Sequence, residues 1–386
     1  MAIDPTYRLL SLCARAEGHP EFKEQLKGQL DEFSAWRDLP AQAEAHGMAP
    51  LLWHHLRSIQ AEIPAEAAHA LRGLYIRHRL MNEIHTRVLM EIVEKLGKAG
   101  IQPLVLKGLA LACEYYPDPA LRPISDLDLL FKQEELLPAL HLLVKAGYKA
   151  ELPRADQKRL PKELTALSPP MDGISVRIEL HHYDPQGRSV FDHTLDEEFL
   201  GFDAAPHTVK AGDGEFLVPD PMDTLHYLIR HLTRHLFVAT ASNPLPLKWI
   251  ADVISLVERH AASVDWAQNS ALLNRLEVFY SLTPMPENLL KVIPIRQIPP
   301  AEDAGRYPQG WPQRVYPQWK RGGSLNHITR MRASLAFIMQ TLSVPPAWWL
   351  RVYYGIDEDA VVWYGNVVYR MQVLRMIPWK LLQRLM

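Results

Sequence analysis

Along the first hundred residues, apolar side chains recur at intervals of three and four. "YRLLSLCARA", "EFKEQLKGQLDEFSAW" and "APLLWHHLRSI" all carry that spacing, which gathers their apolar positions on one face of a helix. From Ala65 to Lys98 the pattern continues unbroken. It predicts one extended helix or two abutting ones, with Gly100 as the stop. No fixed period repeats, so a helical solenoid is not predicted.

The period changes at Ile101. "IQPLVLKG" is a short apolar run between Gly and Pro, the length and flanks of a buried strand. "LALACEYYP" then reads as a helix, "SDLDLLF" as a strand and "KQEELLPALHLLVKAG" as a helix ending at Gly147. "YKAEL" and "ELTALS" read as further strands. In "GISVRIELHHYD", Ile174, Val176, Ile178 and Leu180 alternate with Ser175, Arg177, Glu179 and His181, so one face is apolar and the other polar. "AGDGEF" reads as a loop. Helical periodicity returns in "DPMDTLHYLIRHLTRHLF" and "LPLKWIADVISLVERH". The expected organisation is an α+β protein: a helical region over 1–100, an α/β catalytic unit with a mixed sheet over 101–218, a helical unit on its cleft over 219–282, and a Pro-rich and helical region over 283–386.

Composition narrows the function classes. The chain has 386 residues, 48% hydrophobic and 22% charged, the balance of a soluble globular protein. A net charge of -2 gives no support to binding a long nucleic acid. Two cysteines far apart exclude a disulfide framework or a Cys-based zinc site and fit a reducing cytoplasm.

Against that background, two carboxylates inside an apolar strand stand out. Asp126 and Asp128 are two apart and therefore share a face, while Leu127, Leu129 and Phe131 enter the core. Side-by-side carboxylates repel, so the pair needs solvation or a compensating cation. A solvated sheet edge is the ordinary reading. A divalent ion, Mg²⁺ or Mn²⁺ for oxygen ligands, is the chemical one, with Glu179 as the third acid from a neighbouring strand. Upstream, Lys107-Gly108 lies where a strand meets a helix, and such a helix start offers N–H groups to a phosphate.

A strand ending in Gly, a helix, Asp-x-Asp on the next strand and one more acid on a later strand: this order resembles the nucleotidyltransferase superfamily, whose best-known member is DNA polymerase beta. More narrowly, "LKGLALACEYYPDPALRPISDLDLLF", "IELHH" and "LPLKWIADV" are similar to a bacterial family of uncharacterised nucleotidyltransferases. The resemblance covers residues from about 100 to 260. It implies Asp126 and Asp128 as paired metal ligands, and Glu179 as the acid that completes the site and activates the acceptor hydroxyl. Gly108 would begin the phosphate-holding helix. The superfamily usually follows that glycine with Gly or Ser, whereas Leu109 stands here, which leaves phosphate contacts to backbone N–H groups and to Lys107, Arg122 or Ser125. Lys248 becomes a triphosphate contact and His181 a cleft residue. The implied cofactor is Mg²⁺ or Mn²⁺, and the substrates are an NTP such as ATP and a hydroxyl acceptor on a small molecule, peptide, protein or RNA. The alternative on the same fold is a nucleotide- or partner-binding protein without turnover.

Seventeen histidines raise a rival. His231 and His235 lie one helical turn apart, the spacing of two zinc ligands. A zincin also needs Glu after the first His, and Leu232 stands there. Packing is the simpler reading. Trp249 reads as a core anchor and Asp252 as a partner for a histidine. The aromatic and Arg-rich segment from Trp348 onward suits a docking helix, or contact with a membrane surface.

Overall fold

The computed structural model describes residues 4–150, 163–183, 205–238, 246–267, 269–280, 283 and 285–294. The expectations for the segment from Trp348 onward, and for most of the Pro-rich region, lie outside the described residues. No helix among those described is long and apolar enough to cross a membrane.

Four short helices come first: α1 (Pro5–Leu12), α2 (Pro20–Asp31), α3 (Leu39–Ala45) and α4 (Ala49–Ser58). The long periodic segment is one helix, α5 (Ala65–Gly97). Then come β1 (Leu104–Leu106), α6 (Gly108–Tyr115), β2 (Asp126–Lys132), α7 (Gln133–Lys145), β3 (Lys149–Ala150), β4 (Glu163–Leu167) and β5 (Arg177–Tyr183). A hairpin of β6 (His207–Ala211) and β7 (Gly214–Val218) leads into α8 (Pro221–Val238), α9 (Leu247–His260), α10 (Ser270–Tyr280) and α11 (Glu287–Leu290).

The strands form a single mixed sheet in the order β3-β4-β5-β2-β1-β7-β6, so the fold is α+β. One sequence reading is corrected. "AGDGEF" is the turn of the β6–β7 hairpin rather than a free loop. Gly212, at φ +58, occupies a left-handed position between strands paired from His207 with Val218 to Ala211 with Gly214. The two-residue loop is Gly212-Asp213, and Gly-Asp between alternating segments is the hairpin signal present there.

Two apolar clusters hold the chain. One joins α1–α4 to α8–α10, for example through Leu10, Phe22, Leu52, Leu228, Ile254 and Phe279. The other lies on the sheet and contains Leu127, Leu129 and Phe131 of β2, Ile178 and Leu180 of β5, and Leu136, Leu140 and Leu143 of α7. α5 runs through both. Leu71 packs in the first cluster, and Val88, Leu89, Ile92 and Leu96 in the second. The alternation read in β2 and β5 is realised: the apolar members are buried, and their polar neighbours are left on the other face of the sheet.

Candidate metal and nucleotide site

Strand register builds the site. β2 and β5 are parallel neighbours with Asp128 opposite Glu179 and Asp126 opposite Arg177. β1 runs antiparallel to β2 with Leu106 opposite Asp128, so Lys107, the next residue, emerges beside that carboxylate. Asp128 is 1% exposed and Glu179 9%. Two carboxylates so far from water need compensation. Lys107 supplies part of it, with Nζ 2.8 Å from Asp128 Oδ1. His181 Nε2 reaches the same oxygen at 3.0 Å, and Arg177 Nη2 lies 2.6 Å from Glu179 Oε1.

The ionisation of the cluster follows from these contacts. Burial pushes the Asp128 carboxyl up, but the hydrogen bond from His181 and the charge of Lys107 outweigh it and hold it below the usual carboxylate range. Burial likewise disfavours the Lys107 ammonium, yet the fields of Tyr227, Asp128 and Asp126 outweigh it and raise its pKa. Both partners are therefore charged at neutral pH.

Ligand atoms of Asp128, Glu179 and His181 lie within 4.8 Å of one another, one oxygen or nitrogen from each. Two carboxylates and an imidazole suit a divalent ion, with the carboxylates favouring Mg²⁺ or Mn²⁺ and the imidazole tolerating Mn²⁺ and softer ions. The donor set fits the implied cofactor. Asp126 is not in that group in this conformation. It is the first residue of β2 and half-buried, and Ser125 Oγ donates to its Oδ1 at 3.0 Å. His181, expected at the cleft wall, sits among the ligand atoms instead. The polar alternation of β5 placed it on the correct face but did not show that it faces Asp128.

The turn into α6 carries two unusual residues. Lys107 has φ +40 and ψ -145 and Gly108 has φ +32. A Cβ on Gly108 would meet Asp126 O at 3.5 Å, an ordinary contact. The backbone angle, not lack of space, is what favours glycine there. Leu109 is 1% exposed and belongs to the sheet core, so the departure from Gly or Ser at this position serves packing.

Arg122, expected as a phosphate contact, lies beside the start of α6, with Nη1 4.0 Å from where a Cβ on Gly108 would stand, and is engaged by a carboxylate there. Its Nη2 and Nε bind Asp252 Oδ2 and Oδ1 at 2.8 and 3.2 Å, and its Nη1 donates to Pro123 O at 3.1 Å. Tyr116 donates to Asp252 Oδ1 at 2.8 Å. Asp252 thus pairs with an arginine and a tyrosine rather than with a histidine. Asn82 of α5 donates to Pro119 O and Arg122 O at 2.7 and 2.9 Å. Together these contacts pin the loop between α6 and β2, the loop that aims the acidic strand.

Lys248, on the first turn of α9, is half-buried, and its N–H donates to His46 O at 3.1 Å. Burial, with the positive charge of Arg122 nearby, lowers its pKa to about 8, while Asp252, Asp126 and Glu44 pull the other way. Among the described residues its ammonium makes no hydrogen bond, so it remains available to an anion. His231 packs edge-on against Trp249 with ring centroids 4.9 Å apart. The side chain of His235 lies outside the described residues. Arg177 and Tyr227 are the cluster members that the sequence did not assign. Arg177 was visible on the polar face of β5, two residues before Glu179, whereas nothing local marked Tyr227.

No curated protein matches the sequence. A family model described as "Uncharacterised nucleotidyltransferase" matches residues 33–285, well over half of the chain and every residue of the acidic cluster. This chain belongs to that family.

Proposed function

We propose that the protein is a metal-dependent nucleotidyltransferase, moving a nucleoside monophosphate from an NTP to a hydroxyl acceptor with release of pyrophosphate. The observation that carries the reading is the pairing of Asp128 with Glu179 on adjacent strands, with His181 close enough to share an ion and a helix start at Gly108 beside them. Asp128, Glu179 and His181 would hold the divalent ion, with Asp126 joining from the mouth. A bound ion supplies charge neutralisation at the phosphates and a lowered pKa for the acceptor hydroxyl.

The remaining work falls to the chain's own groups. The first N–H groups of α6 face the phosphates with the positive end of the helix dipole. Lys107, Ser125 and Lys248 offer further donors. Glu179 takes the acceptor's proton as its oxygen bonds to the α-phosphorus, the bond to the β-phosphate bridging oxygen breaks, and pyrophosphate leaves. Arg122 acts indirectly, by holding the loop before β2 against α9. Cys13 and Cys113 are free thiols, which suits a reducing cytoplasm.

The first test is thermal stability with each of the four NTPs, with and without Mg²⁺ or Mn²⁺. A ligand that binds the folded state raises the midpoint by mass action. The expected result is a metal-dependent rise with at least one NTP, absent in the variant carrying both Asp126→Asn and Asp128→Asn. A well-folded protein that responds to no NTP would sink the proposal. Binding without pyrophosphate release, over a broad panel of hydroxyl acceptors, would move the reading to a nucleotide-binding protein on this fold.

A further inference from the structure

Lys107, Arg177 and His181 converge on the two buried acids of the cluster, and Lys107 is the one with an additional peculiarity. Its backbone, at φ +40 and ψ -145, lies in a region that glycine adopts freely and a side-chain-bearing residue does not. The next residue is glycine, so the turn itself is built from flexible backbone. A lysine held in a disfavoured conformation needs a reason in its side chain. Here the side chain places Nζ 2.8 Å from Asp128 Oδ1, against the group of ligand atoms contributed by Asp128, Glu179 and His181. An ammonium there and a divalent ion on the same carboxylate would repel each other at short range.

We infer that Lys107 is an exchangeable internal counter-ion: it neutralises Asp128 while the metal site is empty, gives way when a divalent ion arrives, and then turns to the phosphates of the nucleotide. This rests on the proposed function and assigns Lys107 two successive partners in it. The side chain has somewhere to go. It is 14% exposed, whereas Asp128 is 1% exposed, and its four-carbon stem can swing the ammonium without moving the backbone. Tyr227 of α8 lines the same small cavity as Lys107, and its hydroxyl offers a stopping place on the way. One consequence is order. Metal alone binds weakly because it must displace Lys107, and metal with nucleotide binds better because the displaced ammonium gains a phosphate.

The test compares Mn²⁺ affinity, by calorimetry or by the electron paramagnetic resonance of free Mn²⁺, in the full-length wild type, Lys107→Met, Lys107→Gly and Asp128→Asn. Lys107→Gly also relieves the backbone, so it separates loss of the ammonium from loss of fold. The expected result is roughly tenfold tighter Mn²⁺ binding in both Lys107 variants without nucleotide, together with roughly tenfold weaker binding of a Mn²⁺–NTP complex. The opposite signs are what a merely structural lysine would not produce. Unchanged or weaker Mn²⁺ binding in folded Lys107 variants, with wild-type binding still lost in Asp128→Asn, overturns the exchange and leaves the metal site standing. Absence of Mn²⁺ binding in wild type and both Lys107 variants overturns the proposed function and the exchange with it.

Discussion

Asp128 and Asp252 are both buried aspartates, each 1% exposed, and each lies 2.8 Å from a cation. Their neighbourhoods nevertheless differ in kind. Asp252 meets a two-pronged arginine on both oxygens and a tyrosine hydroxyl as well, and Arg122 is itself only 6% exposed. Charge there is matched one to one and closed to water, as suits a fixture between the α6–β2 loop and α9. Asp128 meets Lys107 and His181 on a single oxygen, next to a second buried carboxylate, and those partners are 14% and 21% exposed. Partners of that sort can leave. A buried acid with matched, enclosed partners holds the structure together, and one with several partly exposed partners is arranged for exchange.

The sharpest way to break this contrast is Asp252→Ala. It strands the Arg122 guanidinium in the core, and uncompensated buried charges cost about 3–5 kcal/mol. Urea denaturation measures the loss. A change below about 1 kcal/mol would mean that Arg122 finds solvent easily, and would restore it as a candidate phosphate contact. Asp128→Asn should cost less without ligand, about 1.5–3 kcal/mol for the charge-assisted bonds it weakens, because Lys107 and His181 can turn outward. The same variant should abolish the metal-dependent NTP shift in the melting midpoint. Equal losses of ligand-free stability from the two replacements would erase the distinction.

The sequence carried one half of this contrast better than the other. Asp126, Asp128 and Glu179 were visible because strand alternation fixes which face a residue occupies, and the same rule gave the core of β2 and β5. The helical character of α5 is legible from its unbroken period, but that period fits one helix or two abutting ones equally, and packing against both clusters makes it one. The β6–β7 hairpin is hidden where the turn residues of "AGDGEF" outweigh the alternation of Val209 and Ala211, and of Phe216 and Val218, on either side. What no local pattern holds is the partner across 130 residues. The sequence offers Arg122 to a phosphate and Asp252 to a histidine, and their pairing with each other appears only when packing places the α6–β2 loop against α9. The position of Arg177 opposite Asp126 likewise depends on a parallel register that the sequence does not encode locally.

A smaller effect sharpens the comparison from the helical side. Gly47, at φ +66, lies against the Lys248 stem, and a Cβ there would approach Lys248 Cδ to 2.6 Å. Gly47→Ala is expected to cost about 1–3 kcal/mol through the left-handed backbone and to displace the ammonium, weakening Mg²⁺–NTP binding in the same thermal assay. If NTP binding is unaffected while stability falls, the Lys248 ammonium takes no part in the nucleotide site.

The smallest expected effect concerns the charge on Lys248 itself. Its folded pKa is lowered from 10.5 to about 8, chiefly by burial and then by Arg122. Below pH 8 the folded and unfolded chains both hold that proton, and the penalty for a buried charge is present in full. Between pH 8 and 10.5 the folded chain has released the proton while the unfolded chain keeps it, so this group makes stability rise with pH. Partial exposure screens the effect, and a rise on the order of 1 kcal/mol is expected. Lys248→Met should remove that rise and lift stability at neutral pH, read as the difference between the two pH profiles of the melting midpoint. Bound NTP should reverse the preference, because a phosphate facing the ammonium restores its charge; the wild-type midpoint shift given by Mg²⁺–NTP then shrinks above pH 8, and that of Lys248→Met does not. Equal Mg²⁺–NTP shifts for the two proteins at every pH would take the Lys248 ammonium out of the nucleotide site, as a buried charge that the fold merely tolerates, and leave Lys107 as the lysine that answers to the ligand.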